Sequence, residues 1–354
     1  MDAIRYVLSL CVLSFVGPAT LAQESCEPAG GVEFVCGPVN AEDLVLVPGT
    51  DWIIASGMAT GAGFYLIDAA SGAFSPLETE VRHDASMYPQ CSAAPAPGEF
   101  ESHGLHIRPA GQGRSTLHVV GHGAREAIEV FEVDARGARP TLTWKGCVPM
   151  PDGLAANSVA ALADGSIVAT VLFLGGTTFA DSVAMRPTGA VFEWSPGDSG
   201  FTQVEGTELP ANNGIEVSAD GREIYVASSG FQTIVAFSNT NPALELRTTG
   251  QLPITPDNVH MGPDGQLLTA GMKNDVPECG GPPGPEHSIE ILASCPRGTI
   301  AIAVDPATME HRILFETPAF AEFSNATMVL PAGGRLWVGT FSGNRVLSAP
   351  GDQD

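Results

Sequence analysis

Six times along the chain, a turn rich in Gly, Pro or Asp is followed at once by a short apolar strand. The first three turns are Pro48-Gly49-Thr50-Asp51 before Trp52-Ile53-Ile54, Gly111-Gln112-Gly113 before Leu117-His118-Val119-Val120, and Asp164-Gly165-Ser166 before Ile167-Val168. The last three are Asp220-Gly221-Arg222-Glu223 before Ile224-Tyr225-Val226, Asp264-Gly265-Gln266 before Leu267-Leu268, and Gly333-Gly334-Arg335 before Leu336-Trp337-Val338. Self-similarity at this period marks a radial array of small β-sheets. Polar residues stand upstream of each turn at nearly the same offset: Glu42, His103, Asn157, Asn213, Asp257 with Asn258, and Ser324-Asn325 with Thr327. In a ring, equivalent positions of every unit face one axis. These side chains would then converge on one point, a ready metal or substrate site.

The expected fold is all-β, a six-bladed β-propeller with four-stranded blades. The 41 glycines and 28 prolines are scattered, which suits many short strands joined by tight turns. Further alternating stretches, Ala127 to Val133, Ala190 to Trp194, Thr299 to Val304, Arg312 to Phe315 and Arg345 to Leu347, supply later strands of each unit. Each unit averages roughly 55 residues, room for four short strands and a loop. A solenoid or two packed sandwiches would also repeat, but six units in a chain of one-domain size favour ring closure.

Residues 1–22 read as a secretory signal peptide, with Arg5, an apolar run from Tyr6 to Val16 and a small-residue site at Thr20-Leu21-Ala22. That run is too short to span a membrane. The expectation is a secreted or periplasmic single domain over 23–354. Six cysteines remain after cleavage, and an even count in an exported chain suggests disulfides. Of the fifteen possible pairings, we favour Cys26–Cys36 and Cys279–Cys295, which close short local loops. The third pair, Cys91–Cys147, joins the segments entering units two and three. Sixteen basic residues against 40 acidic give a net charge of −24, which excludes a nucleic-acid or anionic-membrane partner. A small-molecule ligand and a monomer are expected.

The residues before the turns form a hard-oxygen set: Glu42-Asp43, Asn157-Ser158, Asn212-Asn213 and Asp257-Asn258, with Ser102-His103 in the second unit. Calcium takes 6–8 oxygen ligands of this kind, whereas zinc prefers His and Cys. One Asn before a turn is usually a turn former; the same habit in successive units points to a shared site. No Gly-x-Ser-x-Gly elbow, Walker loop or dinucleotide fingerprint offers another chemistry.

Several runs resemble the paraoxonase/arylesterase family: Ala41-Glu42-Asp43-Leu44, His103-Gly104-Leu105, Val119-Val120-Gly121-His122 and Ile128-Glu129-Val130-Phe131. Asn213-Gly214-Ile215, Ser218-Ala219-Asp220-Gly221 and Pro256-Asp257-Asn258 are similar to the gluconolactonase (senescence-marker) and strictosidine-synthase-like families. The resemblance runs in order from Glu42 to Val346. It implies a calcium-dependent six-bladed propeller, with Glu42, Asn157, Asn213, Asp257 and Asn258 as ligands of one catalytic ion. It also implies that His103 and His122 form a pair that activates water. A second, structural ion would use Asp43 and Leu105, but Ser158 stands where that site expects an aspartate.

The implied activity is hydrolysis of lactones or aryl esters by activated water. His103 is the first candidate base and His122 its partner, with Glu42 and Asp257 as alternatives. His106 and His118 lie on strands and read as structural. Phosphotriester hydrolysis on the same site and a non-catalytic calcium-stabilised propeller are the competing readings. Loops 172–187 and 279–295 would set the substrate.

Overall fold

Each repeat becomes one antiparallel sheet, and six sheets form a ring. The computed structural model describes residues 26–282, 284, 288, 291, 294–319 and 322–351; the leader expected over 1–22 lies outside the described residues. In the first blade the strands are Leu44–Leu46, Trp52–Ser56, Phe64–Asp68 and Phe74–Pro76. The third to fifth blades repeat this meander, with inner strands Ala156–Ala161, Asn212–Val217 and Ile254–Met261. The six turns each open the second strand of a blade, so the polar residues upstream fall on or beside the first, innermost strand.

Two blades depart from the simple pattern. The second gains a fifth strand, Thr79–Val81, which runs parallel to Thr141–Pro149. The sixth is assembled from distant parts of the sequence: Glu33–Cys36 pairs antiparallel with Arg345–Pro350, in register from Glu33 opposite Ser348 to Cys36 opposite Arg345. This strand closes the ring by joining the two ends of the described chain in one blade, where it forms the outer edge.

Burial follows position in the ring. Every residue of the inner strand Asn212–Val217 is buried, while the outer strand Glu245–Thr248 is largely exposed. Inner strands have a neighbour blade on both faces, so even their polar residues are largely buried. Between the third and fourth blades, Ala160, Val168 and Val191 pack with Ile215, Val226 and Phe237. The fully buried Trp144, Trp194 and Trp337 fill the wider space further out. All three favoured disulfides are present, Cys26–Cys36, Cys91–Cys147 and Cys279–Cys295, with Cα separations of 5.9, 5.5 and 5.8 Å. Among the described residues, no helix is long and apolar enough to cross a membrane.

Candidate functional site

The same irregularity occurs on five inner strands. Ser102 pairs with Gly121 and Leu105 with Val119, so three steps on one strand match two on the other. Identical shifts lie between Ala156 and Val159, Asn212 and Ile215, Pro256 and Val259, and Ala326 and Val329. Each is a β-bulge, in which one extra residue bends the strand and re-aims its side chains. The residues inside the bulges are His103-Gly104, Asn157-Ser158, Asn213-Gly214, Asp257-Asn258 and Thr327-Met328. The bulge therefore turns the sequence-predicted polar residues towards the axis.

Two glycines let neighbouring bulges approach. A Cβ on Gly104 would meet Asn157 O at 2.7 Å, and one on Gly214 would meet Asp257 O at 2.5 Å. Gly214 is thus required by contact between blades, inside a strand rather than in a turn. Hydroxyls also bridge neighbouring blades: Thr170 Oγ1 donates to Asn213 O, Ser229 Oγ to Pro256 O and Thr327 Oγ1 to Glu42 O.

Glu42, His103, Asn157, Asn213 and Asp257 meet at the base of one cavity of about 890 Å³. Asn258 is fully buried beside them and donates from Nδ2 to Glu42 Oε1 at 2.5 Å. Four oxygens of this set, Glu42 Oε2 and the Oδ1 atoms of Asn157, Asn213 and Asn258, are buried with no hydrogen-bond partner among the described residues. Buried acceptors without donors are costly, and four in one place are complementary to a cation. Burial pushes the Glu42 carboxyl well above the usual carboxylate range, and the charges of Asp257 and Asp43 raise it further. Burial likewise pushes Asp257 to about 7, against a lowering contact from Asn213. An oxygen-seeking cation would relieve both groups. Among the described residues, no cluster of three or more His, Cys, Asp or Glu side chains has metal-ligand geometry; the set is completed by amide oxygens.

His103 sits at the edge of this group. Its Nδ1 is 3.0 Å from Nε2 of His122, and its Nε2 is 3.6 Å from Glu42 Oε2. Burial and the neighbouring His122 hold His103 down to about 3, so its ring is uncharged at neutral pH. His122 Nδ1 in turn lies 2.5 Å from Glu126 Oε2. Glu126, which stands on the turn between two strands, was missed from sequence; its one signal is a spacing of four from His122.

The region expected for a second ion is organised differently. Asp43 accepts from the backbone amides of Leu44 and Leu105 at 2.8 and 2.7 Å. Leu105 thus offers Asp43 its N–H. His260 Nε2 completes the shell at 2.8 Å from Asp43 Oδ1, and its Nδ1 lies 3.8 Å from Glu216 Oε2. Burial pushes His260 down, but Asp43 and Glu216 outweigh it and raise the imidazole to about 10. Burial pushes Glu216 up, but His106 and His260 hold it well below the usual range. His260 and Glu216 were missed from sequence; the only signal was the two-residue spacing of His260 from Asn258 on one strand. His106 is structural as expected, accepting from Ala161 N at 3.2 Å and facing Glu216 at 3.3 Å.

His118 gives a pH test of this packing. It is buried, its Nδ1 has no partner among the described residues, and burial, His106 and Arg108 hold it down to about 3. A histidine depressed on folding contributes stability above its unfolded pKa near 6.5, and that contribution is lost as pH falls towards the folded value. His118→Leu should therefore remove about 2 kcal/mol of the stability lost between pH 7 and 4.5. Urea unfolding at the two pH values measures this, and an identical acid dependence in the variant would contradict it.

The cavity above the site is walled largely by apolar side chains. Leu172, Phe173, Phe179, Val183 and Met185 come from the segment between the second and third strands of the third blade, the predicted 172–187 loop. It contains a short helix, Phe179–Val183, started by a capping box between Thr178 and Asp181. Pro282 approaches from the other predicted loop, 279–295, and Asn274 and Asp275 from the segment just before it. Its base is gripped by the buried Arg297, which donates to the carbonyls of Lys273, Asn274, Cys279 and Gly281.

No protein-family model and no curated protein matches the chain. Solved structures do. A luciferin-regenerating enzyme superposes with TM-score 0.53 at 12% identity, over 89% of this chain and 93% of the other. A protein assigned to the gluconolactonases gives 0.52 at 14% identity, over 91% and 93%. The calcium-binding protein regucalcin from Agrobacterium tumefaciens gives 0.52 at 10% identity, again over 91% and 93%. The chain has the gluconolactonase and regucalcin propeller fold. At these identities the likeness is one of fold, and the site must be read from its own residues.

Proposed function

We propose that the chain is a calcium-dependent hydrolase of neutral lactones or aryl esters bearing an apolar group. The observation that carries this reading is the set of four unpartnered buried oxygens at the base of an apolar cavity, beside an uncharged histidine. Glu42, Asn157, Asn213, Asp257 and Asn258 would hold one calcium ion, a donor set of carboxylates and amide carbonyls that suits it. Calcium bound there would supply Lewis-acid polarisation of the substrate carbonyl. His103 Nε2 and Glu42 Oε2 are two acceptors 3.6 Å apart, and a water seated beside the pair finds two places for its protons. His103 then takes the proton as the water oxygen attacks the carbonyl carbon.

The cavity walls bear on the substrate. Among the lining residues there is no Lys or Arg, and the charged ones are acidic or His. An anionic substrate would meet like charge, and a polyhydroxylated lactone would leave hydroxyls against Leu172, Phe173 and Phe179. Each buried methylene contributes about 0.8 kcal/mol. Two added to an alkyl lactone should thus raise kcat/KM by ~10-fold. A panel of alkyl lactones, an aldonolactone, aryl esters and a phosphotriester, assayed alongside elemental analysis, tests the reading. One equivalent of calcium with no turnover of any of them would make the propeller a binder. Preference for the aldonolactone would overturn the apolar assignment.

A further inference from the structure

We propose that Glu126 is a positioning residue for this reaction: through His122, its carboxylate fixes the ring tautomer that leaves Nε2 of His103 free to accept a proton. The inference rests on the reading of His103 as the base.

The chain of contacts has one direction. A carboxylate only accepts hydrogen bonds, so the 2.5 Å contact with Glu126 Oε2 requires the proton of His122 to sit on Nδ1. Nε2 of a neutral His122 then carries a lone pair. That lone pair lies 3.0 Å from Nδ1 of His103, which must be the donor. With its proton on Nδ1, His103 presents a lone pair at Nε2, on the side of Glu42 Oε2. Reversing any one bond would put a proton on the nitrogen that has to receive one.

Glu126 is held for this role from both sides. Its carbonyl accepts from Met150 N at 3.0 Å, which fixes the backbone. The adjacent Arg125 does not compete for its carboxylate, because its guanidinium is engaged by Glu129 at 2.7 and 2.9 Å and by Ala93 O. The side chains grow steadily more exposed outward, from 1% at Glu42 through 13% at His103 and 17% at His122 to 39% at Glu126. Glu126 thus stands at the rim, where substitution does not open a cavity.

The test uses the full-length mature protein with Glu126→Leu and Glu126→Asp. Nitrogen-15 spectra of the histidine rings should show His103 and His122 both protonated at Nδ1 in the wild type, and tautomer mixtures in Glu126→Leu. For an alkyl lactone, kcat should fall ~10²–10³-fold in that variant, with KM within twofold and a melting temperature within a few degrees. Glu126→Asp, which retains an acceptor, should recover at least ~10-fold of the loss. His103 protonated at Nε2 in the wild type, or unchanged rings in Glu126→Leu, would overturn the proposal. So would altered rings with undiminished kcat. If no lactone is turned over by the wild type, the hydrolase reading fails, but the spectra still decide whether Glu126 sets the tautomer.

Discussion

His103→Gln is expected to lower turnover of an alkyl lactone by ~10²–10⁴-fold, the usual contribution of a general base. Calcium content and fold should hardly change, because the ring makes its contacts to His122 and the edge of Glu42 and lies outside the proposed ligand set. With His103 already uncharged down to about pH 3, activity between pH 6 and 8 should show no rise from its titration. In the proposed mechanism, a search for a histidine-like inflection near 6.5 would therefore fail with histidine as the base. If instead His103→Gln retains full activity while calcium-saturated Glu42→Gln loses it, a carboxylate activates the water and the pair at 103 and 122 only lines the tunnel.

Removing calcium should have the largest effect on stability. An ion held a thousandfold above its dissociation constant contributes about 4 kcal/mol, on the order of 5–10 °C for a chain of this length. Asp257→Asn splits the effect by sign. In the calcium-loaded protein it weakens a charged ligand, so the melting temperature should fall. In chelator at pH 8 it removes one of two buried carboxylates that repel one another, so the melting temperature should rise above that of the stripped wild type. Calorimetry with and without chelator reads both. A variant that melts lower in both states would mean that Asp257 is a packing residue with no special tie to a cation.

The ring and the place of the polar residues were legible because both follow from period. A turn, a strand and an upstream side chain recur, and closure makes their positions equivalent. Two disulfides were legible because Cys26–Cys36 and Cys279–Cys295 close short loops, which leaves Cys91 and Cys147 to pair across 56 residues. The fifth strand of the second blade was not expected, since Thr79-Glu80-Val81 pairs in parallel with a strand some sixty residues away. Nor was the strand at 33–36, whose partner at 345–350 lies at the far end of the ring. His260 was hidden for a different reason. A bulge adds one residue without altering the hydrophobic pattern, so alternation alone does not say which side chains beyond Asn258 face the axis. Glu126 lies outside the repeat altogether, on a turn where an exposed acidic residue is ordinary.

The composite sixth blade makes the centre of the molecule a late event in the life of the chain. Glu42 meets Asn258 across 216 residues and accepts from Thr327 across 285. Both contacts tie the first blade to later ones, and the pairing of 33–36 with 345–350 joins the two ends of the described chain. No single blade owns the central oxygens, which come from the first, third, fourth and fifth. Contacts of such long sequence separation form slowly. A ring opened at that junction would therefore keep its sheets and lose its centre. An ion at the proposed site would act as a latch on a completed circle rather than as a seed for it.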